Sequence, residues 1–109
     1  MTMKMDRPKI VCLCGSGRFK QLFEDAEFNE TISGKIVLTI GCNTKDIARD
    51  FDWVHVKSKL DELHLRKIDL CDEVLIIDKD GYIGESTTTE IAYAQSLGKH
   101  IRYYSKENL

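Results

Sequence analysis

Apolar positions along the chain follow two patterns that alternate: short unbroken runs, and longer stretches in which they recur every three or four residues. Runs at 9–14, 35–40 and 73–78 are nearly continuous in Val, Ile, Leu and Cys, and a last one covers 100–104. Runs of that length without polar alternation predict strands buried on both faces of a parallel sheet. Between them, Phe19, Leu22, Phe23, Ala26 and Ile32 recur at helical spacing, as do Leu60, Leu63, Ile68 and Leu70. The spacing predicts helices over 19–32 and 56–71, and a third from Ser86 or Thr87 to about Leu97. Gly34 and Gly98 stand where helix stops are expected. Residues 42–55 have mixed polarity and no period, and are expected to be irregular.

Four strands separated by three helices require right-handed crossovers, and therefore a parallel sheet with helices on both faces. The expected fold is α/β: a flavodoxin-like (Rossmann-like) three-layer sandwich of about four strands in the order 2-1-3-4. The 109 residues are read as one domain, with a loose start over 1–7. Such sheets bind ligands beyond the carboxyl ends of their strands, where the strand order reverses. Strands 1 and 3 flank that point, which brings Gly15-Ser16-Gly17-Arg18 beside the 78–90 segment although about sixty residues part them in sequence.

Charge narrows the partner class. Sixteen basic against 18 acidic residues leave a formal charge of -2, so neither nucleic acid nor an anionic membrane is an expected partner. No apolar run approaches the roughly 18 residues of a membrane span, and Met-Thr-Met-Lys-Met-Asp lacks the apolar core of a signal peptide. The expected location is the cytoplasm, and the expected ligand a small molecule. Cys12, Cys14, Cys42 and Cys71 form no C-x2-C pair and no H-x3-H accompanies them. With His64, Cys42 and Cys71 all distant in sequence from Cys12-x-Cys14, reduced thiols with neither metal nor cofactor are expected.

Candidate chemistry concentrates in 81–94. Asp80-Gly81 and Gly84 supply turn residues, then Ser86 or Thr87 is placed to cap a helix, with Glu90 three residues after Thr87 as in a capping box. The same residues also fit an oxygen-rich cradle at a helix start, with Glu85, Ser86 and Thr87 binding a hydroxylated or anionic ligand and Glu90 as its reactive group. Gly15, Ser16, Gly17 and Arg18 open a helix after a strand and suit a phosphate, or else form a plain turn with a solvated arginine. They match neither a Walker A loop nor G-x-G-x-x-G, since Lys20 stands at the third glycine. Cys12-x5-Arg18 has the spacing of cysteine-dependent phosphatases, but Phe19 follows the arginine and no Asp-Pro acid loop exists. Asp61 and His64 are i,i+3 neighbours at the end of their helix nearest the strands' carboxyl edge, and are candidate acid/base groups or simply solvated residues. Asp69 lies about 12 Å further along that axis, and Asp72 opens a strand at the opposite edge. Phe51, Trp53 and Tyr82 are candidates to stack on a planar ligand.

Cys14-Gly-Ser-Gly-Arg18 after a first strand, Asp72-Glu-Val-Leu-Ile, and Glu90-Ile-Ala-Tyr-Ala followed by Leu97-Gly-Lys resemble the nucleoside 2-deoxyribosyltransferase superfamily. The resemblance is nearest to its nucleoside 5'-monophosphate N-glycosidase branch and runs from strand 1 to strand 4. It implies Glu90 as nucleophile, and Gly15, Ser16 and Arg18 as holders of a 5'-phosphate. It also implies a homodimer or higher homo-oligomer with sites completed across subunits, an arrangement that Ile91, Ala92 and Tyr93 in succession fit, since all three cannot face one sheet. Two positions depart from the family. His64 stands where it has an aspartate, and Gly84 where it has Ser or Asp, with Glu85 or Ser86 as stand-ins. The implied activity is hydrolysis or transfer at an N-glycosidic bond. The alternative is a non-catalytic nucleotide-binding module of the same fold.

Overall fold

The computed structural model describes residues 7–40 and 53–108. Four strands, β1 (Ile10–Gly15), β2 (Ile36–Leu38), β3 (Glu73–Ile77) and β4 (His100–Tyr103), form one parallel sheet in the order β2-β1-β3-β4. The helices α1 (Lys20–Ile32), α2 (Trp53–Leu70), α3 (Glu85–Ser96) and α4 (Tyr104–Glu107) cover it, giving the flavodoxin-like arrangement that the alternating pattern predicts. β1 and β3 are central, and their side chains divide by parity between two cores. Cys12, Cys14, Val74 and Ile76 face Ile68 of α2 and Ala94 of α3. Val11, Leu13, Leu75 and Ile77 face Phe23 and Ala26 of α1, with Tyr104 of α4 packed alongside. Burial on both faces explains why these runs carry no polar alternation.

Element ends depart from the local pattern for identifiable reasons. β2 pairs only over three residues instead of six, because it is an edge strand and the carbonyl of Thr39 accepts from Lys67 Nζ at 2.7 Å. α2 begins at Trp53, three residues before the predicted start at Val56. α4 was not predicted; buried Asp78 holds it by accepting from the Ser105 N–H (2.9 Å) and hydroxyl (2.8 Å), a contact across 27 residues that no local pattern reveals. Gly34 and Gly98 do stop α1 and α3, with φ of +93° and +70°.

The largest correction concerns the start of α3. The helix begins at Glu85 with Gly84 at its cap and no capping side chain, so the box of Thr87 and Glu90 does not form. The Thr88 N–H and hydroxyl both donate to the Gly84 carbonyl at 2.9 Å. Gly84 lies under Tyr82, where an added Cβ would stand 3.3 Å from the tyrosine hydroxyl. Starting the helix earlier buries Thr87 and carries Glu90 into the second turn, facing inward. The oligomer argument from 91–93 also changes. Tyr93 packs beside Ile91 on the α2–α3 core, while its hydroxyl donates to Asp69 at 2.5 Å and accepts from Arg66 at 3.0 Å. Tyr93 is thus held by side chains of its own chain, and of the three only Ala92 is exposed.

Candidate active site

The carboxyl ends of β1 and β3 open into a cleft of about 620 Å³, a size suited to a small molecule. Its walls are the 15–17 loop, the first half of α2, the start of α1, and the turn from Tyr82 into α3. The sheet topology puts these elements side by side, as the position of the order reversal predicts. Gly15 makes the close approach possible. It pairs with Ile77, and a Cβ on it would stand 2.7 Å from the Ile77 carbonyl oxygen.

Of the residues singled out in the sequence, Gly15, Ser16, Gly17, Asp61, His64, Tyr82, Glu85, Ser86, Thr87 and Glu90 all line this cleft. Arg18 does not. It is exposed, with its guanidinium 4.8 Å from the centre of the Tyr82 ring, and that ring meets Phe19 edge-on at 5.8 Å. The Ser16 hydroxyl accepts from the Arg18 N–H at 3.3 Å and its carbonyl from the Phe19 N–H at 3.1 Å, so the loop is a closed turn. Asp61 is exposed on the wall and paired with Lys57 at 3.1 Å. Asp69 is bound to Tyr93, and Asp72 at the opposite edge accepts from Arg7 and the Ile10 N–H, so neither belongs to the cleft. Phe51 and Cys42 lie outside the described residues, as does the side chain of Trp53.

Lys20 and Lys57 are cleft residues that the sequence did not single out. Set against them are five carboxylates, those of Glu24, Glu27, Asp61, Glu85 and Glu90. This excess makes the cleft electronegative, which disfavours an anion inside it and leaves Arg18 at the rim.

Glu90 stands at the cleft floor with its side chain 16% exposed, and its Oε1 lies 3.9 Å from His64 Nε2. His64 is not a solvated helix residue. It is buried, with Nε2 3.2 Å from Cys14 Sγ and 3.9 Å from Cys12 Sγ. The expectation that His64 is a distant helper of the two thiols is thereby corrected, since α2 crosses over β1 at this point. Cys12 and Cys14 project from the same face of β1, but an uninterrupted apolar strand gives no sign of which face meets which helix. The Cys12-x5-Arg18 spacing forms no phosphate loop: Cys12 lies mid-strand and wholly buried, three residues before the loop starts.

The four side chains perturb one another. Burial raises the Glu90 carboxyl above its ordinary pKa, and the neighbouring His64 only partly offsets this. Burial alone would lower His64, but the Cys12 thiolate and Glu90 outweigh it and the net shift is upward. A hydrogen bond from Cys14, aided by His64, brings the Cys12 thiol down to about 6 against the opposing effect of burial. Sharing that hydrogen bond and being buried, Cys14 is pushed up. Glu90 and His64 line the cleft, while the thiol pair lies wholly buried beneath its floor. The chain matches no protein-family model, and no curated protein matches it.

Proposed function

We propose that this protein hydrolyses or transfers the N-glycosidic bond of a nucleoside, with Glu90 as the nucleophile. The observation that carries the reading is the position of Glu90: a partly buried carboxylate at the floor of a small-molecule cleft, at the sheet's order reversal, with a histidine beside it. Attack of the carboxylate on the anomeric carbon forms a glycosyl ester as the base leaves, and water or a second base then resolves it, as in retaining glycosidases. His64, 3.9 Å from Glu90, is the nearest proton carrier for the leaving base, and takes the place of the aspartate expected from the resemblance. Asp61 pairs with Lys57 on the wall and contributes to substrate position. The acidic lining favours an uncharged nucleoside inside the cleft, with a 5'-phosphate held only if it reaches Arg18 at the rim. The homodimer or higher oligomer implied by the resemblance belongs to the same proposal, supported by Tyr82 and Ile83, which are exposed where the chain enters α3.

The test is incubation with a panel of nucleosides and nucleoside monophosphates, with free base measured by chromatography. Wild type is expected to release base and Glu90→Gln to release none while keeping its fold. Wild-type turnover in Glu90→Gln would refute the role of Glu90. Binding of nucleosides without base release by the wild type would select the non-catalytic module instead.

A further inference from the structure

We propose that Cys12, Cys14 and His64, with Glu90 as fourth donor, bind one soft divalent cation of the zinc type just beneath the floor of the cleft. The Sγ atoms of Cys12 and Cys14 and His64 Nε2 all lie within 4.8 Å of one another. In a tetrahedral zinc site, bonds of about 2.3 Å to sulfur and 2.0–2.1 Å to nitrogen put S and N about 3.5 Å apart. The two S–N distances here, 3.2 and 3.9 Å, straddle that value. Glu90 Oε1, 3.9 Å from His64 Nε2, stands outside this group of three and joins it as fourth donor by moving inward. The donors come from β1, α2 and α3, so the packed fold preforms the site.

Charge favours occupancy. Coordination holds both sulfurs as thiolates among Ile68, Val74, Ile76 and Ala94, and a dication cancels the two charges there. Sulfur and imidazole donors select zinc or its analogues over magnesium and calcium, which require oxygen. Cys71 stays outside the cluster, its thiol donating to the Ile68 carbonyl at 3.1 Å. On the glycosidase reading, coordination removes both the nucleophile and its proton carrier, so the metal-loaded protein releases no base until a chelator is added.

The experiment is titration of the reduced, metal-stripped protein with Co²⁺, read from thiolate-to-cobalt absorption, followed by displacement with Zn²⁺. Wild type is expected to bind one equivalent in tetrahedral geometry and to release protons from its donors as it binds. Cys14→Ala and His64→Gln are each expected to lose more than the roughly 10–100-fold in affinity that follows loss of an outer-shell partner. Cys71→Ala is expected to bind as wild type does. Absence of the thiolate signal in wild type, or unchanged affinity in both Cys14→Ala and His64→Gln, overturns the site. If Cys14→Ala does not fold, the wild-type and His64→Gln titrations decide alone. Because the readout is the metal's own spectrum, a protein that binds cobalt but cleaves no nucleoside refutes the proposed reaction and leaves this site standing, and the converse result refutes only the site.

Discussion

Replacing Arg102 by Met tests what holds the amino-terminal edge of the sheet together. Arg102 on β4 donates from Nη1 to Glu30 Oε1 (2.8 Å) and Glu73 Oε2 (2.6 Å), and from Nη2 to Glu30 Oε2 (3.1 Å). Its Nε and Nη2 also hold Glu107, which is more exposed and contributes little. Lys35 is the second cation, 3.1 Å from both Glu30 and Glu73. The Glu73 side chain is 5% exposed and that of Glu30 11%, so methionine leaves two buried carboxylates with one strong partner. Breaking a buried pair in this way costs about 3–5 kcal/mol, and Lys35 keeps the loss near the lower bound of about 3 kcal/mol. With a urea slope of about 1.5 kcal/mol/M, the unfolding midpoint is expected to fall by about 2 M.

The pH dependence identifies the cause. The hydrogen bond from Arg102, opposed by burial and aided by Lys35, holds Glu30 below its ordinary pKa. Glu73 is raised by burial, but Lys35 and Arg102 outweigh that and the net shift is downward. Depressed carboxylates contribute stability that is fully present above their unfolded pKa of about 4.3 and lost as the pH falls through the folded values. The difference between wild type and Arg102→Met is therefore expected to be widest near neutrality and to shrink below about pH 4. Adding Glu73→Gln to Arg102→Met is expected to recover part of the loss by removing an uncompensated charge. A midpoint change below about 0.3 M, or a gap that does not vary with pH, would show that the cluster contributes no more than exposed ion pairs do.

Three further outcomes follow from single contacts. Gly15→Ala places a methyl group 2.7 Å from the Ile77 carbonyl and is expected to cost about 1–3 kcal/mol in urea unfolding; a neutral result would mean that β1 and β3 separate easily at the cleft. Asp78→Ala removes both bonds to Ser105 and is expected to cost about 1–3 kcal/mol, with faster amide exchange at Ser105; unchanged exchange would rule out Asp78 as the anchor of α4. Arg18→Ala is expected to weaken nucleoside monophosphates about ten- to hundredfold in calorimetric titration while leaving nucleosides nearly unchanged, and equal losses for both would remove Arg18 from phosphate binding.

What the sequence determined by itself is the architecture. Unbroken apolar runs at β1 and β3 mark strands buried on both faces, helical spacing between them demands crossovers, and together these place a cleft at the β1–β3 boundary before any coordinates. Gly34 and Gly98 end helices through a local conformational requirement, so they too are legible. The composition of the site was decided elsewhere. Thr87 and Glu90 satisfy a local rule for a capping box, yet burial of Thr87 and the packing of Gly84 under Tyr82 start the helix at Glu85 and turn Glu90 inward. His64 is 52 and 50 residues from Cys12 and Cys14 in sequence and meets them only because α2 packs across β1. Asp78 and Ser105 similarly create α4 from a segment with no helical pattern of its own. Local sequence encodes backbone preference and the burial of whole elements; which polar side chains share a buried space depends on how helices lie against the sheet, and that is a property of the assembled tertiary structure.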